Sequence, residues 1–139
     1  MRGFAVAAIV LTAIAWVGAQ QPVAAVYTAA QATAGRTVYQ ASCASCHLPD
    51  LAGRNEAPQL AGNNFMNAWR ARTTRDLFEF IQSTMPPTGE TLSADQYLAV
   101  TAFILQANGA PAGAQPLTPA TAAAIGQLGV RPAVACAAV

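Results

Sequence analysis

Cys43, Cys46 and His47 fall within the five-residue run Cys43-Ala44-Ser45-Cys46-His47. Two thiols three positions apart, followed directly by an imidazole, form the attachment signature of c-type haem. Each thiol can add to one vinyl group of the porphyrin, and the adjacent imidazole then faces the iron from the proximal side. Three other chemistries use parts of this set. A thioredoxin-like redox pair uses C-x-x-C but needs a βαβ setting. A zinc site needs four ligands. Cys136 could complete that set, but neighbouring Cys46 and His47 bind one small ion awkwardly. A disulfide between Cys43 and Cys46 would leave His47 unexplained.

The second axial position of such an iron has few candidates. His47 is the only histidine, so bis-histidine ligation within the chain is excluded. Met66 and Met85 carry the candidate thioethers. Met66 sits at the apolar spacing of a short helix, which suits a core-filling side chain. Met85 lies in Ser83-Thr84-Met85-Pro86-Pro87, where two prolines stop a helix and stiffen the loop. That loop can hold a sulfur at a fixed point over the opposite haem face. His/Met ligation raises the reduction potential. It also fills the coordination sphere, which suits electron transfer rather than catalysis.

The elements that must position these groups read as helices. The pattern from Thr28 to Ser42 suits a helix with Val38 and Tyr39 on one side. Residues 49–62 form a loop rich in Pro, Gly, Asp and Asn. Residues 63–71 suit a short helix carrying Phe65, Met66 and Trp69. Thr73 with Asp76, and Ser93 with Gln96, each match the capping-box pattern at a helix start. Leu77, Phe78 and Ile81 form one apolar face behind the first box. Tyr97, Val100, Thr101, Ile104 and Leu105 do so behind the second, and Asn108-Gly109 is a stop signal. No segment shows sustained strand alternation. Residues 110–139 are rich in Ala, Pro and Gly, and read as a tail partly wrapped on the domain and partly disordered. A short helix is expected near Pro119–Leu128.

Composition narrows the class. The 139 residues are 54% hydrophobic and 9% charged, and 34 of them are alanine. Alanine buries little area, so a domain this poor in bulky side chains calls for a large cofactor or another staple. A formal charge of +1, with seven Arg, no Lys and no basic run, argues against a nucleic-acid partner. Met1 and Arg2, an apolar run to Val17, then Gly18 and Ala19 have the layout of a secretory signal cut after residue 19. An uncut segment would act as a membrane anchor, although the run is short for a span. Export implies the periplasm. Cys136, an odd thiol in an oxidising compartment, can pair between chains or stay unpaired.

Across residues 30–109 the sequence resembles class I cytochromes c. The resemblance rests on G-R-T-V-Y-Q-A-S-C-A-S-C-H at 35–47, P-Q-L-A-G at 58–62 and T-M-P-P at 84–87. It implies an all-α cytochrome c fold of three to five helices around one covalent haem c, with a signal peptide at 1–19, a lead-in at 20–29 and a tail at 110–139. Cys43 and Cys46 would be the covalent anchors, and His47 and Met85 the axial ligands. Gly35 and Tyr39 match the positions where the first helix is crossed closely by the last, with Phe103 as the partner. The resemblance further implies that the Pro58 carbonyl accepts a hydrogen bond from His47 and that Leu60 packs on the haem. For Trp69 it implies an indole N–H reaching a propionate, beside the simpler reading of a core tryptophan.

The stretch from Phe65 to Pro87, with L-S-A-D-Q-Y and I-L-Q-A-N-G-A-P-A-G, is similar to cytochromes c linked to quinoprotein alcohol dehydrogenases. This likeness implies a non-enzymatic one-electron carrier. Its donor would be a pyrroloquinoline-quinone dehydrogenase, and its acceptor a terminal oxidase or another cytochrome of the respiratory chain. Two other roles compete. A tightly bound haem subunit of such a dehydrogenase would co-purify with it. A haem enzyme or ligand sensor would need an open iron. The absence of lysine implies docking through a small, largely apolar patch with weak salt dependence.

Overall fold

Thr28 opens the first helix, its hydroxyl accepting the Gln31 N–H at 3.1 Å. The computed structural model describes residues 23–89 and 91–129. The expected signal segment at 1–19, residues 20–22 of the lead-in, and Arg131 and Cys136 of the tail lie outside them. The described residues form five helices and no strand: α1 (Ala29–Ser42), α2 (Ala44–His47), α3 (Asn63–Trp69), α4 (Thr74–Thr84) and α5 (Ala94–Ala107). The all-α expectation therefore holds. None of these helices is long and apolar enough to cross a membrane.

Both expected capping boxes form. Thr73 Oγ1 accepts the Asp76 N–H at 3.2 Å while the Asp76 carboxylate accepts the Thr73 N–H at 2.8 Å. Ser93 and Gln96 repeat the exchange at 3.2 and 2.8 Å. Behind the first cap, Leu77, Phe78 and Ile81 are buried, and Phe80 is exposed. Helix α5 is buried on every side from Tyr97 to Leu105, which a single apolar stripe did not foretell. It runs through the centre, against α1 and then α4.

The α1–α5 crossing depends on one glycine. A Cβ on Gly35 would stand 1.8 Å from the Ala99 carbonyl oxygen. Backbones this close exclude any side chain, so glycine is obligatory there. One turn on, the Tyr39 and Phe103 rings meet at 5.2 Å between centroids, tilted by 51°. The bulky residues are few but well used: all three tyrosines and three of the five phenylalanines are buried in the core.

Residues 110–129 form a strap with its own share of the core. Leu117, Ile125 and Leu128 are fully or almost fully buried. Gln31 holds Leu117 through both its amide atoms, at 2.9 and 2.8 Å. The Gly113 N–H bonds the Tyr27 carbonyl at 2.7 Å, and the Tyr27 hydroxyl donates to the Ala110 carbonyl. Ile125 and Gly126 donate to the Arg72 and Arg70 carbonyls, each at 3.0 Å, fixing the α3–α4 joint. The short helix expected near Pro119–Leu128 is a 3-10 turn, Ile125–Gln127.

Candidate functional site

Cys43 caps the C-terminus of α1, and its carbonyl accepts the amides of Cys46 and His47 at 3.1 and 3.0 Å. The motif is therefore one helical turn appended to α1. In a helical turn, positions three and four apart share a face. Cys43 is half-buried against the core, Cys46 is exposed with the Ser45 hydroxyl 3.9 Å from its sulfur, and His47 is buried. Among the described residues, no three His, Cys, Asp or Glu side chains could together hold a metal ion. A zinc site thus finds no such set here, and Cys136 lies outside the described residues.

Leu48 stops the turn with a left-handed backbone, φ 64°. The loop then folds back on the histidine. Gly53 donates to the His47 carbonyl at 2.9 Å, Leu60 to the Leu51 carbonyl at 2.9 Å, and the Tyr39 hydroxyl to the Leu48 carbonyl at 2.7 Å. Arg54 bonds the Ser45 carbonyl at 2.7 Å. At Gly53 φ is +67°, and a Cβ there would meet the Ala57 carbonyl oxygen at 2.4 Å. The fold-back brings the Pro58 carbonyl to 2.9 Å from His47 Nδ1, the contact the resemblance implied. A carbonyl can only accept, so Nδ1 carries a proton. A neutral ring then presents the lone pair of Nε2 as its ligating atom. Burial is the main cause that pushes the Tyr39 hydroxyl well above its ordinary pKa, with the charges of Cys43 and Asp50 adding to it.

Met85 caps the far end of α4, donating its amide to the Ile81 carbonyl at 2.9 Å. The prolines end the helix as expected. Its side chain is half-buried against the core, as are Leu60, Met66 and Trp69. Trp69 stacks on Phe65 at 6.4 Å, meets Phe80 edge-on at 5.4 Å, and lies under the Arg72 guanidinium at 5.2 Å. These contacts make Trp69 the centre of an aromatic cluster between α3 and α4.

Two positioning side chains were not singled out from the sequence. Asn108 was read only as part of a stop signal. It is buried, donates to the carbonyls of Leu60 (2.9 Å) and Ile104 (2.8 Å), and accepts the Gly62 N–H at 2.9 Å. It therefore ties the end of the His47 loop to α5. Tyr97 was read only as a member of an apolar face, yet its hydroxyl donates to the Met85 carbonyl at 2.8 Å. Asparagine beside glycine at a helix end hints at the first; nothing in the local pattern marks the second.

An imidazole with its outer nitrogen available, a thioether and two thiols are the donors a covalently attached haem requires. Half-buried Leu60, Met66 and Trp69, packed like Cys43 and Met85 against the core, suit a porphyrin, so the residues present fit that group.

A family model described as cytochrome C oxidase, cbb3-type, subunit III matches residues 30–104. Cytochrome c-554(547) of Halothiobacillus neapolitanus is 43% identical over 51 residues, covering 37% of this chain and 53% of that protein. The chain thus spans about half the length of this curated relative.

Proposed function

The chain belongs to the family of cytochrome c oxidase, cbb3-type, subunit III, a cytochrome c family whose members bind haem c covalently, and from that premise we propose a class I cytochrome c acting as a periplasmic one-electron carrier. The haem supplies a ferric/ferrous couple. Cys43 and Cys46 would anchor it, and His47 and Met85 would supply the iron ligands. The Pro58 carbonyl holds the proton of Nδ1 and so fixes the ring with Nε2 outward. Leu60 would pack on the porphyrin, and Trp69 would wall it or reach a propionate. The haem-bearing unit is residues 30–109, and residues 1–19 are a signal peptide. The single observation carrying this reading is the helical turn Cys43–His47 with its imidazole braced by Pro58.

With His47 and Met85 both taken up by the iron, no place would remain for a substrate, which suits a carrier rather than an enzyme. The donor is a dehydrogenase, of the quinoprotein class by the likeness of residues 65–87, and the acceptor is a terminal oxidase or another cytochrome. A second reading, a haem subunit held in a larger complex, draws support from a family described by an oxidase subunit. The test is carbon monoxide added to reduced holoprotein purified under mild conditions. A carrier runs alone and keeps its spectrum. Co-purification with a large enzyme favours the subunit, and prompt carbon monoxide binding overturns six-coordination and with it the carrier.

A further inference from the structure

The segment from Met85 to Leu92 leaves α4 and returns to α5, and one side chain holds both of its ends. The Tyr97 phenol, 3% exposed, donates to the Met85 carbonyl at 2.8 Å and accepts the Leu92 N–H at 3.4 Å. Its ring is buried in the core on the first turn of α5, so the hydroxyl is a fixed point. Among the described residues, the segment's other bonds are backbone ones, from Met85 to Ile81 and from Gly89 to Pro86. An open cleft of about 310 Å³ runs along it, lined in part by Gln82, Thr84, Pro87 and Thr91. Met85 and Tyr97 line the same cleft, and Gly89 to Pro86 is a long internal bond of 3.4 Å.

We infer that Tyr97 is the positioning residue for the Met85 thioether: its hydroxyl fastens the base of the Met85–Leu92 loop to α5 and keeps the sulfur at the iron. This rests on Met85 being the axial ligand. Removing the hydroxyl leaves the ring in place but frees the Met85 carbonyl to follow the loop into the cleft. The loop then spends more time with its sulfur withdrawn. An external ligand binds only to that open population, so its apparent affinity reports the population directly.

The experiment is an imidazole titration of the ferric holoprotein, followed optically, for wild type, Tyr97→Phe, Thr101→Val and Met85→Ala. Phenylalanine keeps the ring and most of the volume of the buried side chain, and far-ultraviolet helicity checks that the fold is retained. Tyr97→Phe should tighten imidazole binding by about five- to tenfold, the equilibrium weight of one well-formed backbone hydrogen bond. Thr101 is buried on the same helix, and its hydroxyl donates to the Tyr97 carbonyl at 2.9 Å, a bond within α5. Thr101→Val should lower the thermal midpoint yet change imidazole affinity by less than about twofold, since the loop contacts stay intact. Met85→Ala should tighten binding more than Tyr97→Phe does, because no sulfur remains to be displaced. If Met85→Ala binds imidazole no better than wild type, the sulfur is not the displaced group and the axial assignment fails. If Met85→Ala tightens binding while Tyr97→Phe does not, the assignment stands and the role of Tyr97 is overturned. Equal gains in Tyr97→Phe and Thr101→Val would also overturn it, since a general loosening of α5 then explains both.

Discussion

His47 and Met85 stand on unlike supports. On the His47 side, a single helical turn is followed by a loop pinned at close intervals, through Leu48, Gly53, Pro58 and Leu60, with Asn108 closing its end. On the Met85 side, the loop has a helix cap behind it, a tyrosine hydroxyl at its base and an open cleft alongside. The difference is between many backbone bonds that define one geometry and a few contacts that hold a sulfur in place. An imidazole must be aimed, since its ring plane and proton location decide which nitrogen ligates. A thioether sulfur on three rotatable bonds tolerates a looser mount. The contrast predicts that damage on the His47 side reads out as lost folding, and damage on the Met85 side as altered ligation.

The most damaging test falls on the His47 side. Gly53→Ala forces a left-handed alanine against the Ala57 carbonyl oxygen. Strain and clash together should cost roughly 3 kcal/mol, read by denaturant unfolding of the holoprotein. A loss below about 0.5 kcal/mol would mean that the loop is as yielding as its counterpart.

At the end of α4 opposite Met85, Thr73→Ala removes the N-cap and should cost about 1 kcal/mol of stability while leaving both the His47 loop and the Met85 ligation unchanged. A pH series sharpens this. Hydrogen bonds from the Thr73 backbone, then its side chain, hold the Asp76 carboxyl below its ordinary pKa of 3.8. A lowered folded-state pKa contributes stability that is present above about pH 4 and disappears as pH falls through the lowered value. The stability gap between wild type and Asp76→Ala, which removes the carboxylate that accepts the Thr73 N–H, should therefore shrink in acid. A gap that stays constant down to full protonation would remove Asp76 from the cap.

Much of this architecture was legible in the sequence because it is written locally. The two capping boxes, the proline stop after Thr84 and the Cys43–His47 turn depend on residues three or four apart. Gly35, Tyr39 and Phe103 were found through resemblance, and the crossing has the expected geometry. The ties made by Tyr97 and Asn108 were not foreseen. They are side-chain to backbone bonds between segments distant in sequence, and such bonds leave no periodic trace. The strap is the other case. Its Ala- and Pro-rich composition suggests loose wrapping, but buried Leu117, Ile125 and Leu128, with the hydrogen bonds to Gln31, Arg70 and Arg72, anchor it in the core.

The central claim is that His47 and Met85 share one iron. The most direct measurement is the near-infrared absorption of the ferric holoprotein, where a weak sulfur-to-iron band reports thioether ligation, recorded for wild type, Met85→Ala and Met66→Ala. The account predicts a band in wild type and in Met66→Ala that is lost in Met85→Ala. A band that survives in Met85→Ala, or is missing from wild type, would contradict it.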